Sequence, residues 1–268
     1  LSDKIHAEII NMASKAGPYS IEAAVADIVT SGKSLGLRAS EHSQTSPDKV
    51  DYHEYPSKKK VMKAINAGDV ICSDKNGKIF QVKTKADLDK VHKVVITFRH
   101  QKNRQNGQQI CLLADKAFPK TCAARSIANM LWRKKRLKHP KKLPLAIYRN
   151  AEQEIKYVTH ANVTDVIRRA VKKVHPDISK EELMKHACHS VRVWACVLLD
   201  EVGKSPDFIK KRLRWMGESY RVYLRDTNKI RKQHNEALQE SSQNVMELIN
   251  NINDDDMDHL SGRYESGE

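Results

Sequence analysis

This sequence lacks paired cysteines and long apolar runs, and its acidic residues are outnumbered by basic ones. Its five cysteines (Cys72, Cys111, Cys122, Cys188 and Cys196) form no CxxC pair and no His/Cys ligand spacing. That argues against a zinc site, any other metal centre or a disulfide framework, and fits a reducing compartment. No apolar run reaches the length that spans a bilayer, and no signal-peptide pattern opens the chain, so neither a membrane nor a secretory route is expected. There is no internal repeat, which removes solenoids and propellers.

What is present is a core-forming composition and positive charge. The chain has 268 residues with 40% apolar content, enough to bury a sizeable core. Lys and Arg number 48 against 33 Asp and Glu, a net charge of +15. The last stretch opposes this trend. Asp254, Asp255, Asp256, Asp258, Glu265 and Glu268 face Arg263 alone, so this tail carries −5 and the rest of the chain +20. A polyanion is the expected partner of such a body, and nucleic acid leads.

Residues 1–15 carry a helical pattern that breaks at Gly17-Pro18. Ser20 then caps a second helix whose Ala23, Ala24, Ile28 and Val29 share one face. The polar stretch from Thr45 to Val61 suggests a loop leading into a short basic helix, "KKKVMKAINAG". Two hairpins follow: "DVICSDKNGKIFQV", turning at Asn-Gly, and Val94–Phe98 returning on Gln109–Leu113. Beyond Pro119 the pattern is helical, apart from extended segments near Leu145–Tyr148 and Ile155–Val158. The expected class is α+β, mainly α, with a small antiparallel sheet. We divide the chain into a body over 1–227, a helix over 228–252 and an acidic, disordered tail over 253–268. In that helix Ile230, Ala237, Leu238, Val245, Leu248, Ile249 and Ile252 make a near-heptad seam that packs at home or on a neighbour.

The chemistry gathers around "HSVRVWACVLL". Leu183, Ala187, Val191, Trp194 and Leu198 step along one helical face, which puts His189 and Arg192 on the other, adjacent at i, i+3. Surface salt bridges to other residues are the commoner account of any single His-x-x-Arg, so the motif alone is weak. Cys188 beside His189 is a poor nucleophile pair, because neighbours on a helix point apart. His42, His100, His175 and His186 are taken as structural.

Other pieces join the His-x-x-Arg. "GLRASE" supplies Arg38 and Glu41, "FRHQKNRQNGQ" places Lys102 at a hairpin turn, and "LRWMGESYRVYLR" holds Trp215, Tyr220 and Tyr223. This ordered set resembles the catalytic domain of the tyrosine recombinase, or phage integrase, family, closest to the recombinases of eukaryotic Crypton-type mobile elements. The likeness covers roughly Ala24 to Ala237. It implies a fold of helices around a small sheet, with DNA strands cut and rejoined through a 3′-phosphotyrosyl link, without metal, ATP or other cofactor. Arg38 and Arg192 then clamp non-bridging oxygens through forked hydrogen bonds. His189 exchanges a proton, Lys102 protonates the leaving 5′ oxygen and Trp215 donates through its indole N–H. Trp215 also fits a core aromatic, and Glu41 either supports Arg38 or is a plain surface carboxylate. Spacing on a helix does not separate Tyr220 from Tyr223; the family's separation from the Trp position selects Tyr223 as nucleophile.

The resemblance further implies double-stranded DNA as partner, four copies acting together on two duplexes, and an additional N-terminal clamping domain. Location follows the DNA: the nucleus in a eukaryotic host, otherwise the cytoplasm. The run Arg133, Lys134, Lys135 and Arg136 suits phosphate contacts, an import signal or a merely solvated loop. Two further readings share these residues: a type IB topoisomerase that relaxes DNA, and a domesticated DNA-binding protein that no longer cuts.

Overall fold

Serine hydroxyls set the first two helices. Ser2 accepts from the Ile5 N–H and starts α1 (Asp3–Ala16); Ser20 accepts from the Ala23 N–H at 3.1 Å and starts α2 (Ile21–Leu35). The computed structural model describes residues 1–101, 106–224 and 227–261, with the side chains of 228 and 247–261 left out. Helix α2 is buried over nearly its whole circumference, as a helix at the centre of a core must be. Packed on it are α1, α5 (Ala123–Arg136), α6 (His160–Val174) and α8 (Ser190–Glu201). Gly32 on α2 admits α8 closely, since a Cβ there would sit 2.5 Å from Val191 Cγ1.

The four-stranded antiparallel sheet runs β4-β3-β5-β6, from β3 (Val70–Ser73), β4 (Ile79–Phe80), β5 (Lys93–Phe98) and β6 (Gln108–Leu113). Strict alternation in β5 buries Val94, Ile96 and Phe98, and registers Val94 with Cys72 and Leu112 and Ile96 with Ile110. Both expected hairpins are therefore present. Two smaller antiparallel pairs are separate from this sheet, β1 (Tyr52–Glu54) with β2 (Lys60–Met62) and β7 (Ile147–Arg149) with β8 (Ile155–Tyr157). Helix outweighs strand, 51% to 14%, so the fold is mainly helical α+β. Among the described residues, no helix is long and apolar enough to cross a membrane.

Three local expectations are corrected. The basic helix expected at 58–68 is strand β2 followed by a 3₁₀ turn, Ala67–Asp69. Lys58 turns through φ +59° and the Tyr55 N–H bonds to the Lys59 carbonyl, so cross-strand pairing replaces a helix too short to stand alone. The continuous face from Leu183 to Leu198 is interrupted between α7 (Lys180–Lys185) and α8. Arg168 takes the carbonyls of Met184 and His186, and Thr164 Oγ1 accepts the Cys188 N–H at 3.0 Å. Finally, Arg192 does not lie on an open face. Helix α8 is buried on both sides, because a second small cluster of Ala195, Cys196, Ile209, Leu213 and Tyr220 covers the flank away from the main core.

After α8 comes α9 (Pro206–Leu213), capped by Ser205 and led by Pro206. A 3₁₀ turn, Ser219–Leu224, follows, and α10 (Asn228–Ser261) closes the described chain. The last helix passes the boundary expected at Ile252, and 262–268 lie outside the described residues. Its Ile230, Leu238 and Val245 are exposed, so this part of the seam has no cover among the described residues.

Candidate active site

Helix α2 ends at Gly36, whose left-handed backbone (φ 54°, ψ 46°) suits glycine. A Cβ at Gly36 would also meet Leu213 Cδ2 at 2.8 Å. The turn delivers Arg38 as N-cap of α3 (Ala39–His42), with Glu41 inside that short helix. Glu41 is 2% exposed and is no plain surface carboxylate. Its Oε2 accepts the Arg38 backbone N–H at 2.8 Å, while its Oε1 accepts from Arg38 Nη1 at 3.1 Å.

Consecutive carbonyls at the end of α9 hold the two expected arginines. Arg192 Nη2 donates to Leu213 O at 3.0 Å, and Arg38 Nη2 to Arg214 O at 3.1 Å. Arg192 Nη1 also donates to Gly36 O, and its guanidinium lies over the Trp215 ring, 4.2 Å from the centroid. Burial, then the charge of Arg38, lowers the Arg192 pKa to about 10, which leaves it protonated at neutral pH. Trp215 follows in the chain, and its buried indole N–H has no acceptor among the described residues.

The tyrosines part company here. Tyr220 is 1% exposed and belongs to the small cluster between α8 and α9. Tyr223 is half-buried, with its ring 5.8 Å from Trp215 and its hydroxyl 2.9 Å from His189 Nε2. Arg38, Glu41, His189, Arg192, Trp215 and Tyr223 thus converge through a continuous set of contacts. Lys102 lies outside the described residues. Its neighbour Gln101 is 2% exposed and faces the site, its Oε1 accepting from Arg38 at 3.4 Å and Arg214 at 3.1 Å.

His189 is held below the ordinary 6.5 by burial and then by the charge of Arg192. A neutral ring with its proton on Nδ1 accepts the phenolic hydrogen at Nε2; a charged ring has no lone pair there. Acidification should therefore remove the acceptor only below pH 6.5. If Tyr223 is deprotonated in a reaction, its rate should fall on the acid side with an inflection under that value, and His189→Gln should lack the inflection. A profile unchanged by His189→Gln would assign the proton to another group.

Arg133 and Lys134 do not serve as phosphate contacts. Both are buried, because Arg133 pairs with Asp27 at 2.6 Å and Lys134 Nζ donates to the carbonyls of Leu143 and Pro144, each at 2.8 Å. Burial brings the Lys134 amine to about 7. From this run Lys135 and Arg136 remain open to solvent. Sequence reasoning missed Arg214 and Gln101. Neither has a spacing signal, since the partners that place them in the site, Glu41 and Arg38, are distant in the chain. Comparison with protein-family models, with curated proteins and with solved structures gives no match to this chain.

Proposed function

We propose that this protein is a DNA tyrosine recombinase, cutting and rejoining strands through Tyr223. The observation that carries the reading is the Tyr223 hydroxyl at 2.9 Å from His189, beside two arginines fixed on consecutive carbonyls. A hydroxyl with a positioned base is an activated nucleophile, and preorganised cations answer the charge of a five-coordinate phosphate.

In the proposed step Tyr223 Oη attacks phosphorus, forming the O–P bond of a 3′-phosphotyrosyl ester as the bond from phosphorus to the 5′ oxygen breaks. The phenolic proton passes to His189 and the departing 5′ oxygen takes up a proton, the role assigned to Lys102. Arg38, Arg192 and the Trp215 N–H, which has no acceptor among the described residues, meet the non-bridging oxygens. The ester conserves the energy of the broken bond, so the reverse attack by a 5′ hydroxyl rejoins the strand without ATP. Double-stranded DNA is the assigned partner, in line with the +15 net charge. Four copies acting on two duplexes would find the exposed Ile230, Leu238 and Val245 of α10 available for contacts between copies.

The test is a nicked duplex whose short cleaved strand diffuses away and traps the ester. A protein–DNA band should survive denaturation and form equally in excess EDTA, because the roles of nucleophile, base and cation are filled by side chains. Loss of the band in EDTA with recovery in Mg²⁺ would overturn the mechanism. Exchange of strands between two duplexes, as opposed to relaxation of one supercoiled circle, separates recombination from topoisomerase action.

A further inference from the structure

We infer that Arg214 is a positioning residue that keeps Arg38 cationic toward the scissile phosphate by sharing the charge of Glu41, an inference that rests on the DNA-cleavage reading above. Glu41 is buried against Arg38, and alone the two would sum to zero charge. A guanidinium already neutralised by its own carboxylate has little field left for an incoming phosphate. Arg214 alters that balance. Its Nη2 donates to Glu41 Oε2 at 2.6 Å, the oxygen that also accepts the Arg38 backbone N–H. Arg38, Glu41 and Arg214 together carry +1, and the exposed end of that charge is Arg38, since Arg214 is itself 1% exposed.

The placement of Arg214 is fixed from several directions. Its Nε donates to Gln101 Oε1 at 3.1 Å and its Nη1 to Leu35 O at 2.9 Å, while its guanidinium lies 3.8 Å from the centroid of Phe98. Those partners come from the end of β5, the hairpin beyond it and the end of α2, so the side chain ties the sheet to the turn that carries Arg38. Its backbone is left-handed (φ 60°, ψ 46°), a conformation uncommon outside glycine and asparagine. Through that turn its carbonyl reaches Arg38 Nη2, and the Leu213 carbonyl before it reaches Arg192. One residue thus orients Arg38 through its backbone and frees its charge through its side chain.

Arg214→Gln keeps hydrogen-bonding capacity and removes the charge. Covalent adduct formation should be followed in single turnover on two nicked duplexes, identical except that one has a neutral methylphosphonate at the scissile position. On the ordinary phosphodiester the variant should be slower by about a hundredfold, the scale of losing one preorganised donor, with DNA affinity unchanged. The deficit should shrink on the methylphosphonate, which presents less charge for Arg38 to meet. Adding Glu41→Gln to Arg214→Gln should recover part of the lost rate, because the uncompensated carboxylate is then gone. Equal deficits on both substrates with no recovery from Glu41→Gln would overturn the role. If Arg214→Gln does not fold, Arg214→Lys decides: native-like melting with most of the rate retained supports charge supply, and native-like melting with the rate lost overturns it. Wild-type protein that forms no adduct refutes the cleavage reading itself, whereas an active wild type with an unimpaired Arg214→Gln removes only the role of Arg214.

Discussion

Tyr223→Phe should abolish the covalent protein–DNA band while leaving DNA binding and the fold in place. The substitution deletes one oxygen. That oxygen contacts His189 at 2.9 Å, while the ring keeps its neighbours His189 and Trp215 at 5.7 and 5.8 Å. A partly exposed hydroxyl with one partner contributes about 1 kcal/mol or less to stability, so the melting curve should barely move. The reaction has no substitute for the oxygen, because it is the atom that would bond to phosphorus. Tyr220→Phe is the matched control: its ring fills the cluster beside Ile209 and Leu213, and adduct formation should persist. Adducts from Tyr223→Phe, together with their loss in Tyr220→Phe, would transfer the nucleophile to Tyr220.

The second large effect is expected at Arg192. Lysine retains the charge but has a single nitrogen, which cannot span Gly36 O and Leu213 O while lying flat on Trp215. The expected loss of cleavage rate in Arg192→Lys is at least about a hundredfold. Stability should fall as well, by about 1–3 kcal/mol for a buried carbonyl left without its donor. Rates should therefore be compared well below the variant's melting temperature. Arg38→Lys should show a similar rate loss with a smaller stability change, since Arg38 retains more solvent access than Arg192. Near-normal cleavage by Arg192→Lys would show that charge without forked geometry suffices.

What the sequence made legible was local. The serine caps of α1 and α2, the alternation of β5 and the pairing of β5 with β6 all rest on residues near one another in the chain, where period and capping chemistry operate. The residue types of the site were legible as an ordered set. Their environment was not. His189 is exposed as expected, but Arg192 is not, because periodicity reports one amphipathic face and cannot see the small cluster with α9 covering the other. Arg133 and Lys134 looked like a solvated basic run, because nothing local announces Asp27, which lies 106 positions from Arg133. Arg214 escaped notice for the same reason: its partner Glu41 lies 173 positions away. The helix expected at 58–68 failed to a competing local choice, the hairpin pairing of β2 with β1 across the turn at Lys58.

The order of the chain also sets an order of events during synthesis. The main core draws its buried members from Ile5 through Trp194, whereas the carbonyls that hold Arg38 and Arg192 come from Leu213 and Arg214, and the tyrosine hydroxyl comes later still. The contact between Arg38 and Arg214 closes a loop of 176 positions. A polypeptide emerging from the ribosome has made nearly everything needed to bury that core before the collar around its arginines exists. A product cut short before residue 213 holds Arg38 and Arg192 without their carbonyl supports and lacks Tyr223 altogether. On the proposed reading such a product forms no phosphotyrosyl ester, because the oxygen that would bond to phosphorus is not yet in the chain.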